Sequence, residues 1–60
     1  MTKYYAHIFY WSGKEDVEEI DKSEIEDLLI AVERQAYVRL DNEIINGSLV
    51  RKIDILTVEE

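Results

Sequence analysis

The sequence predicts a small α+β domain in which one amphipathic helix packs on one face of a three-stranded, mainly antiparallel sheet. An aromatic and β-branched run occupies residues 3–11, and an apolar stripe with helical spacing lies within residues 22–35. The dipeptide Asn46-Gly47 then separates two runs that alternate like strands. The predicted order is therefore strand, helix, strand, strand, in a single domain of residues 1–60.

The first strand is predicted at residues 3–11, before Ser12-Gly13, and its side chains alternate between two faces. We expect the face with Ala6 and Ile8 to turn inward, because small and aliphatic side chains let a helix approach and no charged side chain is then buried. The inward face carries Tyr4, Ala6, Ile8 and Tyr10, and the outward face carries Lys3, Tyr5, His7, Phe9 and Trp11.

The helix is predicted at about residues 22–35. Asp21 with Glu24 three residues later forms a capping-box pattern. Ser23 with Glu26 offers the same pattern two residues further on, so the first helical residue stays open. The predicted core-facing stripe consists of Ile25, Leu28, Leu29, Val32 and Ala36.

A hairpin is predicted at residues 37–45 and 48–57, joined by a two-residue type I′ turn at Asn46-Gly47. In that register aliphatic pairs collect on one face and pairs of opposite charge on the other. The first strand is antiparallel if it lies beside the last strand, and parallel if it lies beside the second; both orders stay open. The pairs are Ile44–Leu49, Asn42–Arg51, Leu40–Ile53 and Val38–Ile55 on one face, and Asp41–Lys52 and Arg39–Asp54 on the other.

The formal net charge of −7 comes from residues 14–33, which contain two lysines and nine acidic residues, while the rest of the chain is neutral. A negative field of this kind repels phosphate backbones and attracts basic surfaces. The chain has no cysteine, no signal-peptide pattern and no apolar run near the roughly 20 residues that span a bilayer. We therefore expect a cytoplasmic protein that does not associate with membranes.

No catalytic, metal-binding or cofactor-binding pattern is found, so a non-enzymatic protein without a cofactor is predicted. The one histidine, His7, lies among strand aromatics, and no serine has nucleophile-elbow spacing. The acidic residues of 15–27 lack the glycine and the alternation of an EF-hand loop. Neither Gly13 nor Gly47 opens a phosphate-binding loop.

The helix carries the predicted protein-binding site. At 100° per residue, Ile30 lies opposite the apolar stripe, among Glu26, Asp27 and Glu33. An isoleucine on a charged helix face can be an ordinary surface residue, but it also suits a basic patch on a host or cognate protein, with charge steering the encounter. In size and acidity the chain is similar to small inhibitors that phages and mobile elements use against host or defence proteins, some of them DNA mimics. This resemblance implies an inhibitor of a nucleic-acid-handling protein.

A homodimer is predicted as well, because the outward strand face and the hairpin tip would leave apolar surface open on a small domain. In the alternative, residues 12–20 fold back over that face and cover it. The predicted dimer interface consists of Tyr5, Phe9, Trp11, Ile44, Ile45, Leu49 and Val50.

Two other functions stay open. The aromatic outward face of the first strand could stack nucleic-acid bases, although the charge of −7 disfavours phosphate binding. The hairpin tip could instead complete another protein's sheet, as in a structural subunit or an antitoxin-like partner.

Overall fold

The computed structural model describes residues 1–40 and 43–60. One helix packs with a mainly antiparallel sheet, which confirms the α+β class. The described residues form five strands, however, where the sequence predicts three. The elements are β1 (Thr2–Tyr10), β2 (Glu15–Ile20), α1 (Lys22–Arg34), β3 (Tyr37–Leu40), β4 (Glu43–Asn46), a 3₁₀ turn (Gly47–Leu49) and β5 (Val50–Glu59).

The central strand of the main sheet is β1, with β2 on one side and β5 on the other. Both neighbours run antiparallel to it. β5 pairs along the whole of β1, from Thr2 opposite Glu59 to Tyr10 opposite Val50, with an irregularity after Phe9. The first strand thus lies beside the last, which is the antiparallel one of the two orders that the sequence leaves open.

The sequence predicts no strand at β2. Four of its six residues are acidic, and acidic side chains have low strand propensity. β2 is nevertheless paired with β1 from Ile20 opposite Tyr4 to Glu15 opposite Phe9, so its position depends on the strand next to it. The alternative in which residues 12–20 cover the outward face is wrong, because β2 extends the edge of the sheet instead.

The predicted hairpin is also wrong. β3 pairs with β4, with Val38 opposite Ile45, while β5 leaves this region to pair with β1. Ile53 lies opposite Ile8 of β1, not opposite Leu40. The physical reason is that residues 37–40 pair with residues 43–46 over only four positions, so the ten residues of β5 find a full-length partner in the nine residues of β1. The predicted pairs that involve Asp41 and Asn42 lie outside the described residues.

Asn46-Gly47 forms no type I′ turn. Asn46 is extended, with φ −89° and ψ 105°, and its side-chain oxygen accepts a hydrogen bond from the Ser48 backbone N–H at 3.1 Å, so it caps the 3₁₀ turn. The Gly47 N–H donates to the Ala36 carbonyl at 2.8 Å. A β-carbon on Gly47 would lie 2.6 Å from that oxygen and closer still to the carbonyl oxygen of Ala31. Glycine is therefore required here by close approach to the end of α1.

Local hydrogen bonds explain where α1 begins and where it ends. The Asp21 backbone N–H donates to the Glu24 side chain at 2.9 Å, as the capping-box pattern predicts. At the other end Gln35 takes the left-handed conformation, with φ 57° and ψ 39°, and the Ala36 N–H donates back to the Ala31 carbonyl at 2.8 Å. This reversal ends the helix one residue before the predicted limit and directs the chain into β3.

The core lies between the inner face of the main sheet and a layer formed by α1 and the β3–β4 hairpin. Ala6 and Ile8 of β1 have no exposed surface, so the predicted inward face is the buried one. Leu28 of α1 is equally buried. The core is completed by Ile20, Ala31, Val38, Leu40, Ile45 and Val50.

The buried side of α1 is narrower than the predicted stripe. Leu28 and Ala31 are buried and Ile25 and Val32 are partly buried, but Leu29 is 43% exposed. Ala36 lies beyond the end of the helix and is also exposed. The prediction is wrong for Leu29 and Ala36, because the small layer beneath the helix contacts only the side centred on Leu28.

Candidate protein-binding surfaces

The negative charge of residues 14–33 is divided between two elements. β2 carries four of the nine acidic residues, α1 carries four more, and the remaining one is the N-cap residue Asp21. The acidic segment that the sequence places at residues 14–33 is thus a strand in its first part and a helix in its second. The chain presents one acidic strand at the edge of the sheet and one acidic helix, because β2 is not a loop leading into the helix.

The outward side of α1 brings the predicted binding residues together. Glu26, Asp27, Ile30 and Glu33 are all exposed. Leu29, which sequence reasoning placed in the core, joins them, because residues at i, i+3, i+4 and i+7 are neighbours on a helix. Two exposed aliphatic side chains, 43% and 39% accessible, thus lie between Glu26 and Glu33. We call Glu26, Leu29, Ile30 and Glu33 the α1 outer face.

One flank of the α1 outer face is positive. A shallow depression beside Ile30 is lined by Arg34 and Arg39 and also by Asp27, so the charged groups on this flank sum to +1. The carboxylates of Glu26 and Glu33 point away from this flank, because they lie about 40° to 60° around the helix axis from Ile30, on the side opposite Arg34. A basic partner would therefore approach from the side of the two glutamates.

An inward-pointing carboxyl cluster lies where β2 meets the hairpin. Glu18 lies opposite Ala6, so it shares the inner face of the sheet, and it is hydrogen-bonded to Glu43 of β4. That hydrogen bond, followed by burial and by the charges of Glu43 and Asp16, raises the pKa of Glu18 from 4.5 to about 7. Burial and the same acidic neighbours also raise the pKa of Tyr10. Near neutral pH the cluster can hold a proton between the two layers.

A groove of about 410 Å³ opens between the end of β1 and the start of β4. Three exposed apolar side chains, Trp11, Ile44 and Leu49, line it. Asp16 also lines the groove and is already paired with Lys14 at 3.6 Å. Part of the predicted hairpin tip is thus gathered here, although by a different chain path.

Two residues of the predicted dimer interface are buried within the chain. Ile45 is 3% exposed and Val50 is 5% exposed. Ile45 pairs with Val38 on the inner side of the hairpin, and Val50 enters the core at the start of β5. They cannot line an interface in this conformation, because the hairpin that would have exposed them does not form.

The second face of the main sheet, which we call the open face, is outside the core. At its centre the rings of His7 and Phe9 stack with centroids 4.1 Å apart, and His7 Nε2 is 2.9 Å from a carboxylate oxygen of Glu15. Lys52 Nζ lies 4.6 Å from the centre of the Phe9 ring. The open face consists of Lys3, Tyr5, His7 and Phe9 from β1, Glu15, Val17 and Glu19 from β2, and Lys52, Asp54, Leu56 and Val58 from β5.

Tyr5 and Phe9 of the predicted interface lie on the open face, while Trp11 lies just past its end and is 70% exposed. The part of the chain that the structure describes contains no group of three or more side chains arranged to hold a metal ion. No helix within residues 1–40 and 43–60 is long and apolar enough to cross a membrane. Comparison with protein-family models, with curated proteins and with solved structures finds no match to the chain.

Proposed function

We propose that this chain is a small, acidic, non-enzymatic interaction module whose α1 outer face docks on a basic surface of a partner protein. The observation that supports this function is the exposed pair Leu29 and Ile30 between Glu26 and Glu33. Single exposed aliphatic residues are ordinary on protein surfaces. Leu29 and Ile30 are consecutive and about 100° apart around the helix, and each lies three or four residues from both Glu26 and Glu33. The four side chains therefore form one exposed face with an aliphatic residue on each side of the two carboxylates.

The two parts of this face contribute differently to binding. Complete burial of an aliphatic side chain contributes about 1.5–3 kcal/mol, and these two side chains, already more than half covered, would supply roughly half of that each. The carboxylates contribute mainly to the rate of encounter and to the choice of a cationic partner. The affinity should therefore depend mainly on Leu29 and Ile30. The extent to which added salt lowers the affinity should depend on Glu26 and Glu33.

The partner's chemistry follows from the charge. A net charge of −7 on 60 residues favours proteins with extended basic patches, and such patches commonly bind nucleic acid. In its finer form the proposal is that the chain, located in the cytoplasm, occupies such a patch and inhibits the partner, as a DNA mimic of the phage or mobile-element type would. Asp27 lies on the flank that also carries Arg34 and Arg39, so it contributes less than Glu26 and Glu33 to the attraction of a basic partner.

The function is tested by crosslinking from the helix. A photoreactive amino acid at position 30 is used to capture partners in the native host, and mass spectrometry identifies them. Binding of each purified candidate is then measured for the wild type, for Ile30→Asp and for the double variant Glu26→Lys with Glu33→Lys. The matched control is Glu15→Lys with Glu19→Lys, which makes the same change in charge on β2; binding is measured with dilute protein, so that a change in self-association does not affect the comparison.

A partner with a basic surface should bind the wild type and the β2 control and lose roughly tenfold or more in affinity for both helix variants. If the chain inhibits the partner by occupying its basic patch, nucleic acid and the chain should compete for binding to the partner. Equal binding of all variants would exclude the α1 outer face as the docking site.

The groove supports a second candidate, the structural subunit or antitoxin-like partner. Trp11, Ile44 and Leu49 are exposed around it, at 70%, 65% and 57%. Ile44→Asp and Leu49→Asp belong in the same binding series. Loss of partner binding in these two variants, with full binding in the helix variants, would favour the groove over the helix.

A further inference from the structure

We propose that the open face binds a second copy of this chain, with a two-fold axis along β1, so that β2 of each copy lies across from β5 of the other. The two sheets would pack face to face as a sandwich, with both α1 helices on the outside. This interface is independent of the α1 outer face, and a dimer of this kind presents that face twice.

The open face exposes apolar side chains that no other part of the described chain covers. Val17, Leu56 and Val58 are 57%, 45% and 42% exposed, and they flank the half-buried rings of Tyr5 and Phe9. The buried core lies wholly on the opposite face of the same sheet. A chain of this size buries only about 60% of its unfolded surface, so a second layer of sheet would enlarge a marginal core.

Charge complementarity selects the axis. Glu15 and Lys52 both lie opposite Phe9, on its two sides and at the same height along β1. A two-fold rotation about an axis parallel to β1 exchanges the two sides and keeps the height. It therefore places Glu15 of each copy across from Lys52 of the other, which makes two ion pairs between the copies. The same rotation places Val17 across from Asp54 and Leu56 across from Glu19, so the selectivity for this axis comes from the ion pairs and not from contacts between apolar side chains.

The other aligned arrangement is repulsive. Identical aligned sheets can also be related by an axis across the strands, which keeps β2 opposite β2 and inverts the height. Centred on His7, that rotation places Glu15 across from Glu19 of the second copy, twice. The selected axis places Lys3 opposite its own copy at one end of the face. Within the chain Lys3 is paired with Glu60 at 3.7 Å, and Lys52 is paired with Asp54 at the same distance. Like charges thus penalise the axis across the strands.

The area predicts a weak dimer. Nine residues at about 3.3 Å and three strands at about 4.8 Å make a face of about 30 Å by 14 Å, or roughly 400 Å². A typical stable interface buries about 800 Å² on each partner. Self-association should therefore depend on concentration. Bases stacking on the same aromatic row are disfavoured, because Glu15, Glu19 and Asp54 would repel the phosphates.

Sedimentation velocity over a concentration series from about 10 μM to about 1 mM tests the proposal, since weak interfaces require millimolar protein. The variants are Glu15→Lys, Lys52→Glu and the two combined in one chain. Glu26→Lys, on α1, is the control with the same change in charge. Circular dichroism of each variant shows whether it is folded.

The wild type and Glu26→Lys should form a reversible dimer at high concentration. Each single reversal should weaken it roughly tenfold or more, and the combined variant should restore it because the pairs are again complementary. Val17→Asp should abolish dimerisation in a folded chain, since Val17 is largely exposed in the single copy.

A wild type that stays monomeric at the highest concentration would overturn the proposal. So would a dimer that Glu15→Lys strengthens, which is the result expected for the axis across the strands, or a combined variant that stays as weak as the single ones. Saturable binding of a single-stranded oligonucleotide to the wild-type monomer, lost in Phe9→Ala, would assign the face to nucleic acid instead.

Discussion

At the scale of single residues, Asn46 and Gly47 show how one dipeptide serves two different structures. Asn-Gly is favoured in type I′ turns because both residues tolerate positive φ. In this protein the asparagine caps a 3₁₀ turn, and the glycine lies against the backbone of Ala31 and Ala36. Both uses require a small polar residue followed by glycine, so the local pattern does not distinguish them.

Gly47→Ala should destabilise the fold by about 2–3 kcal/mol, because the added methyl group would meet two backbone carbonyl oxygens that cannot rotate away. Urea denaturation followed by circular dichroism measures the change. Gly13→Ala is the control, since Gly13 has φ 96° and open space around it, and it should cost about 1 kcal/mol through backbone strain alone. A larger loss at Gly13 than at Gly47 would contradict the close approach.

Glu18 is the second informative residue, because a carboxyl group on the inner face of a sheet is costly when charged. Its hydrogen bond to Glu43 is compatible with one shared proton and not with two negative charges. The folded chain therefore binds this proton more tightly than the unfolded chain. For this group, stability is fully present below about pH 4.5 and is lost as the pH rises through about 7.

Glu18→Gln should remove the loss of folding stability that the wild type shows as the pH rises through about 7. At pH 8 the variant should melt above the wild type by on the order of 4 °C, and the difference should disappear near pH 4.5, where the wild-type carboxyl is protonated as well. Thermal melts across this range measure it. Glu19→Gln removes a charge from the same strand on the open face, away from Glu43. A pH profile of Glu19→Gln that matches that of Glu18→Gln would show that general charge, and not the shared proton, is responsible.

At the scale of elements, α1 and β2 divide the acidic segment in a way that depends on their neighbours. The helix start follows from Asp21 and Glu24, since capping is a local interaction. The side of the helix that is buried depends on the layer beneath it. Leu28 and Leu29 are adjacent in sequence and equally apolar, yet one is fully buried and the other is 43% exposed.

Alanine substitution at these two positions tests the orientation of α1. Leu28→Ala should cost about 2–5 kcal/mol, because it leaves a cavity in the core. A domain of this size has a total stability of about 3–9 kcal/mol, so the variant should lie near the unfolding transition at room temperature. Leu29→Ala should change stability by about 0.5 kcal/mol or less. Equal losses in urea denaturation would mean that the helix is rotated towards the predicted stripe.

At the scale of the whole molecule, a layer of helix and hairpin covers one side of a three-stranded sheet and leaves the other side open. The α+β class, the inward face of β1 and the exposure of Ile30 could be predicted, since they follow from periodicity along one segment. Strand pairing could not. When β5 pairs with β1 and not with β3, contacts between residues that are 40 or more positions apart outweigh contacts across a short hairpin.

The candidate surfaces, too, were predicted in part from the sequence and found in part only in the structure. Glu26, Asp27, Ile30 and Glu33 share a face because helical geometry alone brings them together. The exposure of Leu29 and the part of the open face that β2 contributes emerged only once the neighbouring layers were known. The burial of a side chain depends on the elements that pack against it, and the local sequence pattern does not specify those elements.

The sequence by itself determined that the chain has one amphipathic helix with a defined start, a strongly apolar first strand and a net charge of −7 concentrated in one third of its length. Only the tertiary structure decided that an acidic segment is a strand, that Asn46-Gly47 packs against a helix end, and that the last strand pairs with the first. Propensity and periodicity act over a few residues, whereas strand pairing and close packing compare alternatives across the whole chain, and here the long β1–β5 ladder outweighed a locally favoured turn.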